Sequence, residues 1–215
     1  MLVLHYTGMK TLSAALDRLC DPKAEVSAHY LVARDGTVYR LVPEHRRAWH
    51  AGVACWAGER DVNGRSIGVE LENPGHEFGY RAFPARQMRA LIALARGIVR
   101  RHRIPARRVL GHSDVAPRRK IDPGEKFPWR ALAKAGIGYW PKPLQTKSLP
   151  DMATTQRALA AFGYEIATTG KADAETRAVV RAFQRHYRPK RVDGRTDKET
   201  AALAAALTRR TAKPT

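Results

Sequence analysis

Between Gly111 and Gly124 the chain reads Gly-His-Ser-Asp-Val-Ala-Pro-Arg-Arg-Lys-Ile-Asp-Pro-Gly, and this stretch limits the fold more than any other. Pro117 and Pro123 rule out a long helix or a central strand across it. Between the bracketing glycines lie His112, Asp114, Asp122 and the basic run Arg118-Arg119-Lys120. So many titratable groups on one segment predict a shaped loop held on a rigid scaffold, which is where chemistry tends to sit. On these residues alone we expect His112 and Asp122 to help hold a metal ion, with Lys120 facing the same cavity. The rest of the chain has to supply a further ligand, a base and a groove.

The scaffold is legible from periodicity. Leu2-Val3-Leu4 is a short apolar run ended by His5-Tyr6-Thr7-Gly8, which puts His5 at the carboxyl end of a buried strand. Open α/β sheets favour that edge for ligands. Leu12, Ala15, Leu16 and Leu19 recur at helical spacing and predict a helix from Thr11 to Cys20. Segments 28–32 and 37–42 flank Arg34-Asp35-Gly36 and read as a hairpin turned at Asp-Gly. From Ser66 to Glu72 the pattern alternates, with Ile67, Val69 and Leu71 on one side and Ser66, Gly68, Glu70 and Glu72 on the other. Pro84 opens a long amphipathic helix whose buried stripe is Met88, Leu91, Ile92, Ala95, Ile98 and Val99, ending near His102. Another short helix starts at Trp129. Strands interleaved with helices predict an α/β fold, a mixed central β-sheet flanked by helices.

From Gly136 to Pro150 the chain turns rich in Gly and Pro, and beyond it Ala-rich and helical. The tail holds an internal repeat: Gly170…Asp173…Thr176 matches Gly194…Asp197…Thr200, each a glycine turn followed by an aspartate that can cap a helix. We therefore expect a first domain over 1–140, a linker over 141–150 and a small C-terminal three-helix domain over 151–210.

The 215 residues carry a formal net charge of +19 and a pI near 10.7, which calls for an anionic partner. No helix-turn-helix, zinc-finger or RNA-binding signature accompanies the charge, and the arginines are spread along the chain, so nucleic acid is not the expected partner. A polyanionic bacterial envelope satisfies the same electrostatics. No apolar run is long enough to span a bilayer. Met1 to His5 reads straight into a strand without a basic region or cleavage site, so the protein either stays inside or has lost an export segment ahead of this numbering. Cys20 and Cys55 fit no Cys-x-x-Cys spacing; free buried thiols are expected, with a single disulfide as the alternative in an exported protein.

Of the eight histidines, His186 belongs to the tail, and His45, His76 and His102 have the neighbours of exposed turns or a helix end. His5, His29, His50 and His112 remain. Spacing alone does not make a site of His5 and His112. Five motifs occur in order: His5-Tyr-Thr; Val26-Ser-Ala-His-Tyr-Leu-Val; Ala48-Trp-His-Ala-Gly; Ser66-Ile-Gly-Val-Glu-Leu-Glu-Asn; and Gly111-His-Ser-Asp…Arg119-Lys-Ile-Asp-Pro-Gly. Together, over Leu2 to Trp140, they resemble the type-2 N-acetylmuramoyl-L-alanine amidases, zinc enzymes related to the phage lysozyme-amidases and the peptidoglycan recognition proteins. The tail is similar to the small peptidoglycan-binding domain of many wall hydrolases.

The resemblance implies that His5, His112 and Asp122 hold Zn2+, that Glu70 is the acid/base residue and that Lys120 steadies the oxyanion. It implies cleavage between the lactyl group of muramic acid and L-alanine, in peptidoglycan or in soluble muropeptide fragments. A binding protein of the same fold that holds peptidoglycan without cutting it is the alternative. The implied location is the bacterial envelope or periplasm, with the cytoplasm as alternative. Alternation leaves Glu70 and Glu72 on one face, and only the motif prefers Glu70. Asp114 reads as a turn former or as the residue that orients a ligand. His29, Trp49, His50 and Asn73 are candidates for lining the substrate groove, with structural histidines as the competing reading for His29 and His50; Trp49 and Trp56 are candidate sugar or peptide platforms, with core packing as theirs.

Overall fold

The computed structural model describes residues 1–145 and 148–211; residues 146 and 147, inside the expected linker, lie outside the described residues. Strands β1 (Leu2–Tyr6), β2 (Tyr30–Val32), β3 (Val38–Arg40), β4 (Ile67–Leu71) and β5 (Val109–Gly111) form one sheet in the order β3-β2-β4-β1-β5. β2, β4, β1 and β5 run parallel to their neighbours, and only the hairpin strand β3 is antiparallel. This is the expected mixed sheet. The register sets His5 beside Glu70 and Leu4 beside Gly111.

Local chemistry fixes the helices. α1 (Leu12–Cys20) starts where the Thr11 hydroxyl accepts the Ala14 N–H at 3.2 Å. α2 (Ala85–Arg101) follows Pro84 and stops at His102, as the apolar stripe predicts. It buries Met88, Leu91, Ala95 and Ile98 against Leu2, Leu4, Ile67, Val69 and Leu71 of the sheet. The stripe also contains Gln87, which is polar and fully buried. Its amide donates to the carbonyls of Val32 and Glu72 at 2.9 and 3.1 Å, satisfying strand ends that water does not reach. The segment expected as a loop opens with a four-residue helix, α3 (His112–Val115), and α4 (Trp129–Lys134) follows it.

The opposite face of the sheet carries Val3 and Leu110, and the C-terminal helices cover it. α5 (Met152–Phe162), α6 (Ala174–Tyr187) and α7 (Lys198–Thr211) bring Leu159, Phe162, Val179, Val180, Phe183 and Leu207 into one core with Val3, Trp56, Leu110 and Val115. Trp56, a candidate platform in the sequence, is 1% exposed and meets the rings of Phe162 and Tyr164 edge-on at 5.6 and 4.9 Å. It is core. The tail repeat is visible in the bonding: Asp173 and Asp197 cap α6 and α7 through the N–H groups of Thr176 and Thr200. Gln156 and Gln184 each clamp the glycine turn that follows, accepting from Gly170 and Gly194 and donating to Thr176 and Thr200. Both cysteines are free; Cys55 is buried, but Cys20 ends α1 and is exposed, against the expectation of two buried thiols.

Candidate active site

Three adjacent parallel strands deliver the site from their carboxyl ends. β1 presents His5, β4 presents Glu70 beside it, and His112 is the first residue after β5. Asp122 returns to the same point because its carbonyl accepts the Ser113 N–H at 2.9 Å. His5 Nδ1, His112 Nδ1 and Asp122 Oδ2 then lie 2.9 to 3.2 Å apart, all three residues buried.

The hydrogen bonds around the two imidazoles determine which ring atoms carry protons. His112 Nε2 lies 3.0 Å from the Ala51 carbonyl, which can only accept, so His112 Nδ1 is bare in the neutral ring. His5 is fixed through a longer chain. The Ser66 hydroxyl donates to the Val62 carbonyl, leaving its oxygen to accept from His50 Nε2 at 3.2 Å. His50 Nδ1 then accepts from His5 Nε2 at 3.0 Å, and His5 Nδ1 is bare. Two bare nitrogens and a carboxylate oxygen face one another with no proton among them. That is an arrangement of lone pairs that suits a cation.

Electrostatics agree. Burial first, then the neighbouring His112, pushes His5 down to about 4, and burial drives His50 well below the ordinary imidazole range, so both rings are neutral at pH 7. Burial works to raise Asp122, but the hydrogen bonds and charge of His112 and His5 outweigh it and hold the carboxyl well below its usual range. Glu70 goes the other way: burial, reinforced by Asp122 and opposed by Lys120, raises it to about 8. Its Oε2 is buried without a hydrogen-bond partner among the described residues. Glu72, one pleat further, lies past the strand end, where its carboxylate accepts the Arg34 N–H at 2.8 Å. Geometry thus separates two glutamates that alternation could not.

The other sequence candidates divide. Trp49 is 55% exposed, with the Arg47 guanidinium over its ring at 4.5 Å, and lines a groove of about 560 Å³ with Leu19, Asp21 and Val26. His29 is sealed in: Nδ1 accepts the Gly68 N–H and Nε2 donates to the Arg46 carbonyl, both at 3.0 Å. His50 is buried in the chain just described, its ring lying so close over β4 that a Cβ on Gly68 would stand 2.4 Å from it. Asn73 is fully buried and bonds the Arg81 carbonyl and the Gly75 N–H. None of these three is brought to an open groove; each makes internal bonds instead.

Sequence reasoning missed three residues. Asn63 accepts the N–H groups of His50 and Ala51 at 3.0 and 2.8 Å, holding the segment that supports both histidines. Tyr164 and His186, from the tail, bond the two oxygens of Asp114 at 2.6 and 2.7 Å, and His186 stacks on Trp129 at 3.6 Å. Asp114 also takes the Gly111 N–H at 2.7 Å, so the helix carrying His112 is keyed to the C-terminal helices.

The sequence model of the family described as N-acetylmuramoyl-L-alanine amidase matches residues 1–125. The chain belongs to that family. A peptidoglycan binding domain matches residues 148–203 of this amidase. N-acetylmuramoyl-L-alanine amidase AmiD of Escherichia coli is 38% identical over 96% of the chain and 81% of its own length. The anhydro-N-acetylmuramyl-L-alanine amidase AmpD of Citrobacter freundii is 40% identical over 48% of the chain and 54% of its own length. Among solved structures, E. coli AmiD in complex with anhydro-N-acetylmuramic acid-L-Ala-D-γ-Glu-L-Lys superposes with a TM-score of 0.87, covering 98% of this chain and 88% of that one at 38% identity. Pseudomonas aeruginosa AmpDh3 with an anhydromuramic pentapeptide gives 0.89, at 35% identity over 98% and 91%. Both likenesses run through the C-terminal helices of the amidase as well as its sheet.

Proposed function

We propose that this amidase is a zinc enzyme that hydrolyses the amide between the lactyl group of N-acetylmuramic acid and L-alanine. Its substrates are anhydro-muropeptides of the kind AmiD and AmpDh3 bind, and peptidoglycan itself, held by the 151–210 module behind the catalytic part over 1–140. The carrying observation is the convergence of two deprotonated imidazole nitrogens and a carboxylate beside Glu70, whose buried Oε2 has no hydrogen-bond partner among the described residues. Two histidines and one carboxylate are a common catalytic zinc set. When bound, the zinc polarises the scissile carbonyl and lowers the pKa of a water toward neutrality.

The remaining steps belong to the chain. Burial raises Glu70 above the ordinary carboxylate range, and a cation held beside it would draw it back toward neutrality, where a carboxyl can both take and return a proton. It accepts the proton of the attacking water and passes it to the departing L-alanine nitrogen, leaving a lactyl carboxylate and a free peptide amine. The positive charge of Lys120 is felt at Glu70 and at His5, which supports its role in balancing the oxyanion that forms between them. Exposed Trp49 offers a flat apolar face to the sugar or peptide. Acting on wall polymer places the protein in the bacterial envelope, where its net charge of +19 meets an anionic surface.

Mass analysis of products from intact sacculi and from soluble anhydro-muropeptides tests this directly. We expect stem peptides with a free L-alanine amine, loss of activity with chelator and its return with zinc. Glu70→Gln lowers turnover roughly 10²- to 10⁴-fold, whereas Glu72→Gln keeps an acceptor for Arg34 and stays within about threefold of the parent. Activity that survives chelation or His112→Ala refutes the zinc reading.

A further inference from the structure

The groove beside Lys120 has walls from two distant parts of the sequence. Segment 117–121 forms one, and α6 forms the other through Ala178, Arg181 and Arg185; the space between is about 550 Å³. Its charge is lopsided, five cations against Glu175 alone. Two of the five are occupied: Arg118 faces Glu175 at 3.8 Å, and Arg119 donates to the carbonyls of Ala51 and Val53. The side chains of Lys120, Arg181 and Arg185 make no hydrogen bond or ion pair among the described residues.

Arg185 is the most confined of these. It is half-buried, its Nε is shut off from solvent with no hydrogen-bond partner among the described residues, and burial lowers its pKa. Its charge reaches Tyr6, next to His5, and Glu125, three residues past Asp122. A guanidinium withdrawn from water without a matching anion is costly, and a fork of donors suits a carboxylate best.

We infer that Arg181 and Arg185 of the C-terminal module form a subsite for a stem-peptide carboxylate, so that this module completes the active-site cleft as well as attaching to the wall. The inference rests on the amidase reading above. The sugar half of an anhydro-muropeptide is uncharged once its lactyl group is in the amide, so every anion of the substrate lies on the peptide. In L-Ala-D-γ-Glu-L-Lys the γ-linkage leaves the glutamyl α-carboxylate free one residue beyond the scissile bond, and the lysine carboxylate lies one residue further.

The test compares the anhydro-muramyl tripeptide with two analogues, one amidated at the glutamyl α-carboxylate and one at the C-terminal carboxylate, using full-length zinc-loaded protein. For the parent we expect kcat/KM to fall about 10- to 100-fold for one of the amides, and the sensitive position identifies the carboxylate that binds. Arg185→Gln and Arg181→Gln should each shrink that discrimination, by raising KM for the two substrates that keep the bound carboxylate more than for the sensitive amide, which lacks it. Arg185→Lys, which keeps a charge in the same space, should recover part of it. Discrimination unchanged in both glutamine variants, or an equal loss on all three substrates, overturns the subsite. A parent enzyme that discriminates against neither amide overturns it also. A parent that cleaves none of the three refutes the amidase reading, and the subsite with it.

Discussion

Ser66 stands two hydrogen bonds from the bare nitrogen of His5, yet it decides where that nitrogen's proton goes. With its hydroxyl hydrogen committed to Val62, its oxygen can only accept, and each ring behind it follows in turn. Ser66→Ala removes the acceptor, frees His50 to take its other tautomer, and lets His5 Nδ1 carry a proton for part of the time. We expect zinc affinity to drop by roughly 10- to 100-fold, read by competition with a zinc-binding dye, while the metal-free protein loses only about 1 kcal/mol of stability. Unchanged affinity would refute the relay. At this scale the sequence was half legible. His5 could be placed because a strand end is a local signal, and Glu70 could be placed only by motif because alternation treats it and Glu72 alike. The supporting residues His50, Asn63 and Ser66 act through contacts between loops that no period encodes.

Elements are held to one another by a few multiply bonded side chains, and Glu44 is the clearest. From the segment after the hairpin it accepts from Tyr30 of β2 at 2.7 Å, from Arg101 in the last turn of α2 at 2.5 Å, and from His102 at 2.6 Å. The Arg101 hydrogen bond, helped by Tyr30 and His102 and opposed by burial, lowers its carboxyl to about 2 from an ordinary 4.5. A depressed acid stabilises the fold above its unfolded value and stops doing so as pH falls through the folded one. Glu44→Gln should therefore cost roughly 1–3 kcal/mol at pH 7, and the gap between variant and parent should close as pH falls from about 4.5 toward 2. Urea unfolding at pH 7 and pH 2.5 measures it; a gap of constant size refutes the assignment. The elements themselves follow from their sequences, since α1, α2 and the hairpin obey apolar period, Pro and Gly. Gln87 and Glu44 do not, because their partners are carbonyls and strands far along the chain.

For the whole molecule, the Gly- and Pro-rich passage before α5 reads as a linker between two domains, and the parts on either side of it share a buried cluster on one face of the sheet. The sheet face bearing Val3 and Leu110 is covered by the C-terminal helices together with Met1, Ala51, Val62 and Val115, and Trp56, Phe162 and Tyr164 interlock across the join. Composition could not reveal this, because a linker looks the same whether the modules it joins are apart or docked. Asp114 makes the union polar as well as apolar, tying Gly111, beside the candidate metal ligand His112, to Tyr164 and His186. Parts that share a buried face cannot unfold separately without exposing it, so calorimetry of the intact chain should give one cooperative transition whose calorimetric and van't Hoff enthalpies agree. Asp114→Ala strands the Tyr164 hydroxyl, the His186 ring and the Gly111 N–H in a closed interior, and three unpaired groups at about 1–3 kcal/mol each, less what local relaxation recovers, cost roughly 3–5 kcal/mol. At about 2–4 °C per kcal/mol for a chain of this size, the entire transition should move down by about 6–20 °C and remain single. Two transitions in the parent, or a variant in which only part of the enthalpy shifts, would mean that the sheet and the C-terminal helices are separable after all.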